Sequence, residues 1–373
     1  MKTSRSEQVI RELFSLAGIE INGTRSFDIQ VHDDRFYRRI LSDSALGLGE
    51  SYMDGWWDCD QLDELINRML RGNLEKKIKG NWRIMLHAVR SKLFNLQNVS
   101  RAFQVGEQHY DVGNDLYQAM LDSRLNYTCG YWKDAGTLDE AQDAKLNLVC
   151  RKIGLEPGMS VLELGCGFGA FAGYAAERYG VHVTGVTVSR RQVELASRRY
   201  AHLPVDIRLA DYRSVTGQFD RVISIGILEH VGYKNYRTYM ETVNRTLKPD
   251  GIAFIHTIGR NESTCTANAW ITRYIFPNGM LPSVSQVARA MEGLFVLEDL
   301  HNFGPDYDRT LMAWWDRFNR AWPELKQQYD QRFYRMWRFY LLSCAGGFRS
   351  RGCQLWQIVM TRPGTDQPPC RQE

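Results

Sequence analysis

No apolar run in the 373 residues approaches the roughly eighteen that a membrane-spanning helix requires. Residues 1–17 alternate charged with apolar side chains, unlike the continuous apolar stretch of a signal peptide, so the expected location is the cytoplasm. Also missing is any C-x-x-C. The eight cysteines, at 59, 129, 150, 166, 265, 344, 353 and 370, follow no regular spacing, which argues against a disulfide framework and leaves reduced thiols as the expectation. The nearest cysteine pair, Cys344 and Cys353, has no histidine beside it, so no metal is expected. Internal repeats and low-complexity stretches are absent, and no segment resembles a recognised nucleic-acid reading module.

What is present is the mixture of a soluble globular enzyme, 44% apolar and 24% charged. The length suits a large domain plus a smaller one. The expected division is 1–100, a mainly helical domain, and 101–373, a catalytic domain. The net charge of +4 hides a local excess. Arg68, Arg71, Lys76, Lys77, Lys79, Arg83, Arg90, Lys92 and Arg101 are opposed within their own stretch only by Glu75. Ile78, Trp82, Met85, Leu86, Val89 and Leu93 recur there at helical spacing, an apolar stripe beside a cationic face. Such a helix suits peripheral contact with an anionic membrane surface, or packs its stripe on its own domain; the spacing alone leaves both open.

From residue 158 the rhythm changes. "SVLELG", "HVTGVTV", "DIRLA", "RVISIG" and "GIAFIHTI" are short, β-branched apolar runs, separated by helical patterns such as "RRQVELASRRY" and "NYRTYMETVNRTL". Strands alternating with helices predict an α/β fold, a doubly wound Rossmann-like parallel sheet with helices on both faces. Ligands of such sheets sit beyond the carboxyl ends of the strands.

After the first of these strands comes "ELGCGFGA", residues 163–170. Its glycines allow a tight turn and let a ligand approach backbone N–H groups at a helix start. Gly165, Gly167 and Ala170 also satisfy the dinucleotide fingerprint, but Thr187 stands where that fingerprint wants a ribose-binding acid. Glu163, just ahead of the glycines, suits a cationic amino group instead, which favours an S-adenosylmethionine site over a nicotinamide one. The fourth strand ends by delivering Glu229 and His230, the fifth by delivering His256. A lone strand histidine is commonly a hydrogen-bonded core residue, but Glu229 and His256 leave consecutive strands on the ligand side, a pair able to hold a small polar species. The motif "YTCGYW", residues 127–132, sets Cys129 among aromatics and leaves open whether it is nucleophile, ligand or wall.

Together "LGLGESYMDGWW", "HYDVGNDLY", "NYTCGYW", "LELGCGFGAFA", "GVTVSRRQ", "VISIGILEHVGYKNY", "HTIG", "YIFPNGMLPS", "NFGPDYDRTLMAW" and "CAGGFRSRGCQLWQ" resemble the cyclopropane-fatty-acyl-phospholipid synthase family, from about residue 10 to 360. The resemblance implies methyl transfer from S-adenosylmethionine to the double bond of unsaturated phospholipids, with bound bicarbonate as the base that allows ring closure. It implies a bicarbonate cradle of Cys129, through its backbone, with Glu229, His256 and Tyr307. Cofactor contacts implied in the same way are Tyr127, Thr128, Leu164, Gly165, Cys166, Gly167, Phe168, Gly169, Ala170, Phe171, Ala172, Thr187, Gln192, Asp211 and Tyr212. The Thr-and-Gln ribose motif is itself a feature of the family. Cys344 matches a position once regarded there as the active cysteine, although the proposed chemistry has no step for a thiol. Tyr127, Tyr131, Trp132, Tyr274, Phe276 and Trp314 are expected among the wall of an acyl channel, and a homodimer is expected by analogy. The competing readings are a related lipid C-methyltransferase or small-molecule N-methyltransferase without ring closure, and a catalytically silent lipid-binding protein.

Overall fold

The computed structural model describes residues 4–74 and 113–372. The basic stretch from Lys76 to Arg101 and the junction expected at residue 100 lie outside the described residues. The two arginines described just ahead of it are engaged: Arg68 pairs with Glu64 at 2.8 Å and covers the Phe27 ring, and Arg71 reaches Asn67.

The chain packs as two compact units, each built from discontinuous stretches. Among the described residues, one comprises 4–74, Thr266–Pro277 and Tyr307–Cys353, and the other 113–265, Asn278–Asp306 and 354–372.

The first unit is mainly helical. Helix α1 (Arg5–Ser15) starts where the Ser4 hydroxyl accepts the Glu7 N–H, and it buries Ile10 and Phe14. A two-stranded antiparallel ribbon, β1 (Gln30–Val31) with β2 (Trp57–Asp58), flanks α2 (Arg35–Met53), and α3 (Leu62–Arg71) follows. Three helices from later in the chain complete the unit: α10 (Ala269–Tyr274), α12 (Pro305–Leu325) and α13 (Gln331–Arg349). Gly346 of α13 lets α3 approach closely, since a Cβ there meets the Asp63 carbonyl oxygen at 2.4 Å. No helix among the described residues is long and apolar enough to cross a membrane.

The second unit is a seven-stranded sheet in the order β5-β4-β3-β6-β7-β9-β8. Its strands are β3 (Ser160–Leu164), β4 (His182–Thr187), β5 (Val205–Leu209), β6 (Phe219–Ile225), β7 (Leu247–Arg260), β8 (Val296–Asn302) and β9 (Cys353–Thr361). The five runs recognised in the sequence are β3 to β7, and their pairings are parallel. The parallel expectation does not extend to the last pair, because β8 and β9 are antiparallel. Along β3 the side chains alternate, Val161 entering one apolar cluster and Leu162 and Leu164 the other, as a sheet covered on both faces requires. Helices α4 (Asn114–Met120), α5 (Leu138–Lys152), α6 (Ala170–Tyr179), α7 (Arg190–Arg199), α8 (Leu228–Val231), α9 (Tyr236–Thr246) and α11 (Val284–Met291) belong to this unit. Strand order reverses between β3 and β6, so the crevice at their carboxyl ends is the place for a ligand.

Candidate active site

The β3 strand ends at that crevice and hands over to a loop of three left-handed glycines, with φ of +73° at Gly165, +53° at Gly167 and +77° at Gly169. The N–H groups of Gly165 and Cys166 both bond the Val186 carbonyl, at 2.9 and 3.0 Å, which folds the loop over the end of β4 before α6 begins. A Cβ at Gly165 touches Ile227, the loop after β6, whereas one at Gly167 meets no protein atom within 4 Å. Glu163 is buried, and its Oε2 has no hydrogen-bond partner among the described residues. Burial pushes its carboxyl up to about 8, against the charge of Lys145 and the Ala172 N–H.

At the end of β4 the Thr187 hydroxyl donates to Gln192 Oε1 at 2.6 Å, both side chains being buried. Gln192 is held there because Ser189 caps α7, accepting the Gln192 N–H.

Residues 126–129 run across the same edge. Tyr127 packs edge-on to Tyr117, which in turn lies against Phe168 of the glycine loop, with centroids 5.2 and 5.8 Å apart. Thr128 abuts the β6 terminus, since a Cβ at Gly226 comes within 2.9 Å of its methyl. Helix α5 supplies two buried polar side chains to this segment: Gln142 Nε2 donates to the Thr128 carbonyl at 2.7 Å, and Lys145 Nζ donates to Asn126 Oδ1 at 2.9 Å and Thr128 Oγ1 at 3.0 Å. Cys129 is fully buried and its thiol donates to the Gly130 carbonyl at 3.1 Å, a wall position.

Glu229 stands on α8, one short turn beyond β6. Its Oε1 accepts the Ile258 N–H at 2.6 Å, and its buried Oε2 has no partner among the described residues. Burial raises this carboxyl to about 7 in spite of the hydrogen bonds from Ile258 and Thr257. His256 lies in β7 opposite Ile225, with its carbonyl accepting the Gly226 N–H at 2.9 Å. Its Nδ1 is 3.5 Å from Gln357 Nε2, and its Nε2 is buried without a partner among the described residues. Burial, then the charges of Lys145 and Lys152, hold the imidazole well below its ordinary pKa, so it is neutral near pH 7. Buried polar atoms are nearly always hydrogen-bonded. Two such orphans among the described residues, one on the short helix after β6 and one on β7, with a third on Glu163 of β3, are atoms that a polar ligand can satisfy.

Residues 97–358 match the mycolic acid cyclopropane synthetase family. The chain belongs to this family. It is 51% identical over 355 residues to the cyclopropane-fatty-acyl-phospholipid synthase of Escherichia coli, with 95% of this chain and 93% of that one covered. The tuberculostearic acid methyltransferase of Mycobacterium tuberculosis is 32% identical, with 89% and 82% covered. Among solved structures, a mycolic acid cyclopropane synthase complexed with SAH and CTAB superposes with a TM-score of 0.65 at 30% identity, over 70% of this chain and 98% of that one. This member of the family is an enzyme, a methyltransferase.

The remaining residues read from the sequence have the following local partners. The Asp211 carboxylate is held by its neighbour Arg213, through Nε at 2.8 Å and Nη2 at 3.0 Å, and Tyr212 packs on Tyr239 with its hydroxyl buried and unpartnered. Tyr307, Cys344, Tyr274, Phe276 and Trp314 all belong to the first unit. Tyr307 stacks on Phe348 at 4.6 Å and meets Trp314 edge-on. Burial pushes the Cys344 thiol far up, and no base lowers it. Tyr131 packs edge-on to Phe303, which in turn faces the His256 ring. Lys145, Gln142, Asn126 and Gln357 escaped the sequence reading. The one signal for Lys145 and Gln142 is that polar residues occupy the stripe Leu138, Ala141, Leu146 and Val149 that α5 buries. Among the described residues no group of three His, Cys, Asp or Glu is arranged to hold a metal ion.

Proposed function

We propose that this enzyme transfers the methyl carbon of S-adenosylmethionine to the cis double bond of unsaturated acyl chains in phospholipids and closes a cyclopropane ring with bicarbonate as base. The observation that carries this reading is the orphaned pair, Glu229 Oε2 and His256 Nε2, buried at the edge of the sheet beside the glycine loop.

The residues present fit both groups. The Glu163 Oε2, unpartnered among the described residues, suits a cationic amino group, the open space at Gly167 suits a close backbone approach, and Thr187 with Gln192 suits a ribose. When bound, the sulfonium supplies a methyl electrophilic enough for an alkene to attack without a protein nucleophile. The acyl double bond would give its π pair to the new C–C bond as the methyl–sulfur bond breaks with its electrons going to sulfur, which would leave a cation on the acyl chain. A proton then leaves the added methyl, and its bonding pair closes the ring. Bicarbonate supplies the weak base that so acidic an intermediate needs. Glu229 accepts its O–H, while neutral His256, with Nε2 as donor, Tyr307 and the Cys129 N–H offer hydrogen bonds to its oxygens. Aromatic walls at Tyr131 and Phe303 keep water from the cation and ease it by their π faces. The lipid is reached peripherally from the cytoplasm, with the N-terminal 100 residues docking on an anionic surface and the enzyme working as a homodimer.

The test is to incubate the protein with unsaturated phospholipid vesicles and labelled S-adenosylmethionine and weigh the acyl product. A gain of one methylene with loss of the double bond is expected, with turnover falling when bicarbonate is removed and returning when it is restored. A methyl-branched or methylidene chain overturns ring closure, and label on a small amine overturns the lipid.

A further inference from the structure

Lys145 is a buried polar residue of this unit to which the proposed chemistry gives no task. It is 1% exposed, has no carboxylate within 4 Å among the described residues, and spends two of its three ammonium hydrogens on Asn126 and Thr128. Asn126 is itself braced, since Asp122 accepts both its N–H, at 2.7 Å, and its side-chain amide, at 2.8 Å. A buried ammonium without an ion pair is costly, and a neutral donor suffices to tie a loop. A charge kept under those conditions points to a use for the charge. The Glu163 carboxyl, equally buried and with Oε2 orphaned among the described residues, is the acid of β3, the strand whose Val161 shares an apolar cluster with Leu146 and Val149 of α5.

We infer that Lys145 is a positioning residue for the methyl donor: it ties residues 126–128 to helix α5 and is the counter-charge that lets Glu163 ionise to receive the donor's amino group. This rests on the reading of Glu163 and of Tyr127 and Thr128 as donor contacts. The electrostatics run in the direction required. Lys145 is the first of the influences that lower the Glu163 carboxyl, and burial brings Lys145 down to about 8 against the upward pull of Asp122, Cys129, Glu163 and Asp143, in that order. Glu163 also acts on Cys150, Cys166 and Tyr200, all of them neutral thiols or phenol near pH 7, so among the described residues Lys145 is the cation that acts on it.

The sign follows. Without Lys145 the Glu163 carboxyl stays protonated to a higher pH, and ligand binding has to ionise it. The loss of affinity is then largest near neutrality and shrinks at alkaline pH, where Glu163 ionises unaided and Lys145 itself loses its charge. The experiment is calorimetric titration with S-adenosylhomocysteine at pH 7 and pH 9.5 for wild type, Lys145→Met, Lys145→Arg, Glu163→Gln and the Lys145→Met, Glu163→Gln double variant. The ligand's own titration cancels in each ratio to wild type. At pH 7 Lys145→Met should lose about tenfold in affinity per unit by which the Glu163 pKa rises. The ratio should fall at pH 9.5, Lys145→Arg should keep the wild-type pH dependence, and Lys145→Met should cost far less in the Glu163→Gln background. Equal losses at both pH values with additive variants overturn the counter-charge, and unchanged affinity of folded Lys145→Met overturns the inference altogether. Wild-type affinity of Glu163→Gln instead overturns the underlying reading of the donor site.

Discussion

Glu229 and Ile258 meet at 2.6 Å, a carboxylate oxygen of one accepting the main-chain N–H of the other, so the end of β7 aims a carboxyl that leaves from the end of β6. One oxygen is thereby consumed by the scaffold and the other, Oε2, is left for a ligand. The side chain is held by backbone, which a substitution elsewhere does not remove.

Glu229→Gln should therefore keep its place and lose its chemistry. We expect turnover to fall by about 100-fold or more, as for loss of a positioned acid–base group, with S-adenosylhomocysteine affinity within about threefold of wild type. The ionised form is the acceptor, and burial raises the carboxyl to about 7, so wild-type activity should climb as pH passes through that value and the variant should lack this limb. The linkage to stability has the opposite sense: the protonated group's contribution is whole below the ordinary carboxylate pKa and lost as pH rises through about 7. Urea melts of the two proteins at pH 5 and pH 8 measure it, the variant gaining on wild type at the higher pH.

Gly167 and Gly158 make a matched pair for the glycine loop. Both have positive φ, +53° and +84°, and a Cβ on either meets nothing within 4 Å. Alanine at each carries a similar left-handed penalty, of order 1–2 kcal/mol. Gly167→Ala should weaken S-adenosylhomocysteine binding strongly and Gly158→Ala should not, since Gly158 precedes the opposite end of β3. Equal affinities of the two variants would take the ligand away from this loop.

Cys344 is expected to be dispensable. With its thiol pushed far up by burial, the thiolate fraction at pH 7.5 is negligible. Cys344→Ala should retain turnover within about twofold, because the proposed steps need no protein nucleophile, and iodoacetamide should not label this position during the assay. A drop of orders of magnitude in a folded Cys344→Ala protein would restore the cysteine to the mechanism.

The cationic stretch gives a test that rests on sequence charge alone. Changing Lys76, Lys77, Lys79 and Arg83 together to Gln should weaken co-sedimentation with anionic vesicles by orders of magnitude, at about 1 kcal/mol per basic residue near such a surface. Nucleotide affinity should not change. The difference should shrink between 0.1 M and 1 M salt, as the Debye length falls from roughly 10 Å to about 3 Å. Equal pelleting at low salt would mean that these charges do not face lipid.

What the sequence determined by itself is what local pattern encodes. Strands β3 to β7 were legible because each is a short β-branched run bounded by turns. The glycine loop was legible because an acid, three glycines and a helix start are contiguous and each answers a backbone demand. Glu229 and His256 were legible as a pair because strand ends of a parallel sheet converge on one edge. Tertiary structure alone decided the rest. The ties of Lys145 to Asn126 and Thr128, and its pull on Glu163, join three separate stretches, and a lysine on a buried stripe says nothing of what it will meet. The antiparallel β8 and β9, with β9 entering between β7 and β8, follow from pairing partners more than fifty residues apart in the chain. The composition of the first unit is non-local in the same way: α10, α12 and α13 join the N-terminal helices because their apolar faces fit there, as Gly346 against the Asp63 main chain shows. Periodicity announces that a face will be buried, but its partner is chosen by shape and charge that only the folded chain brings together.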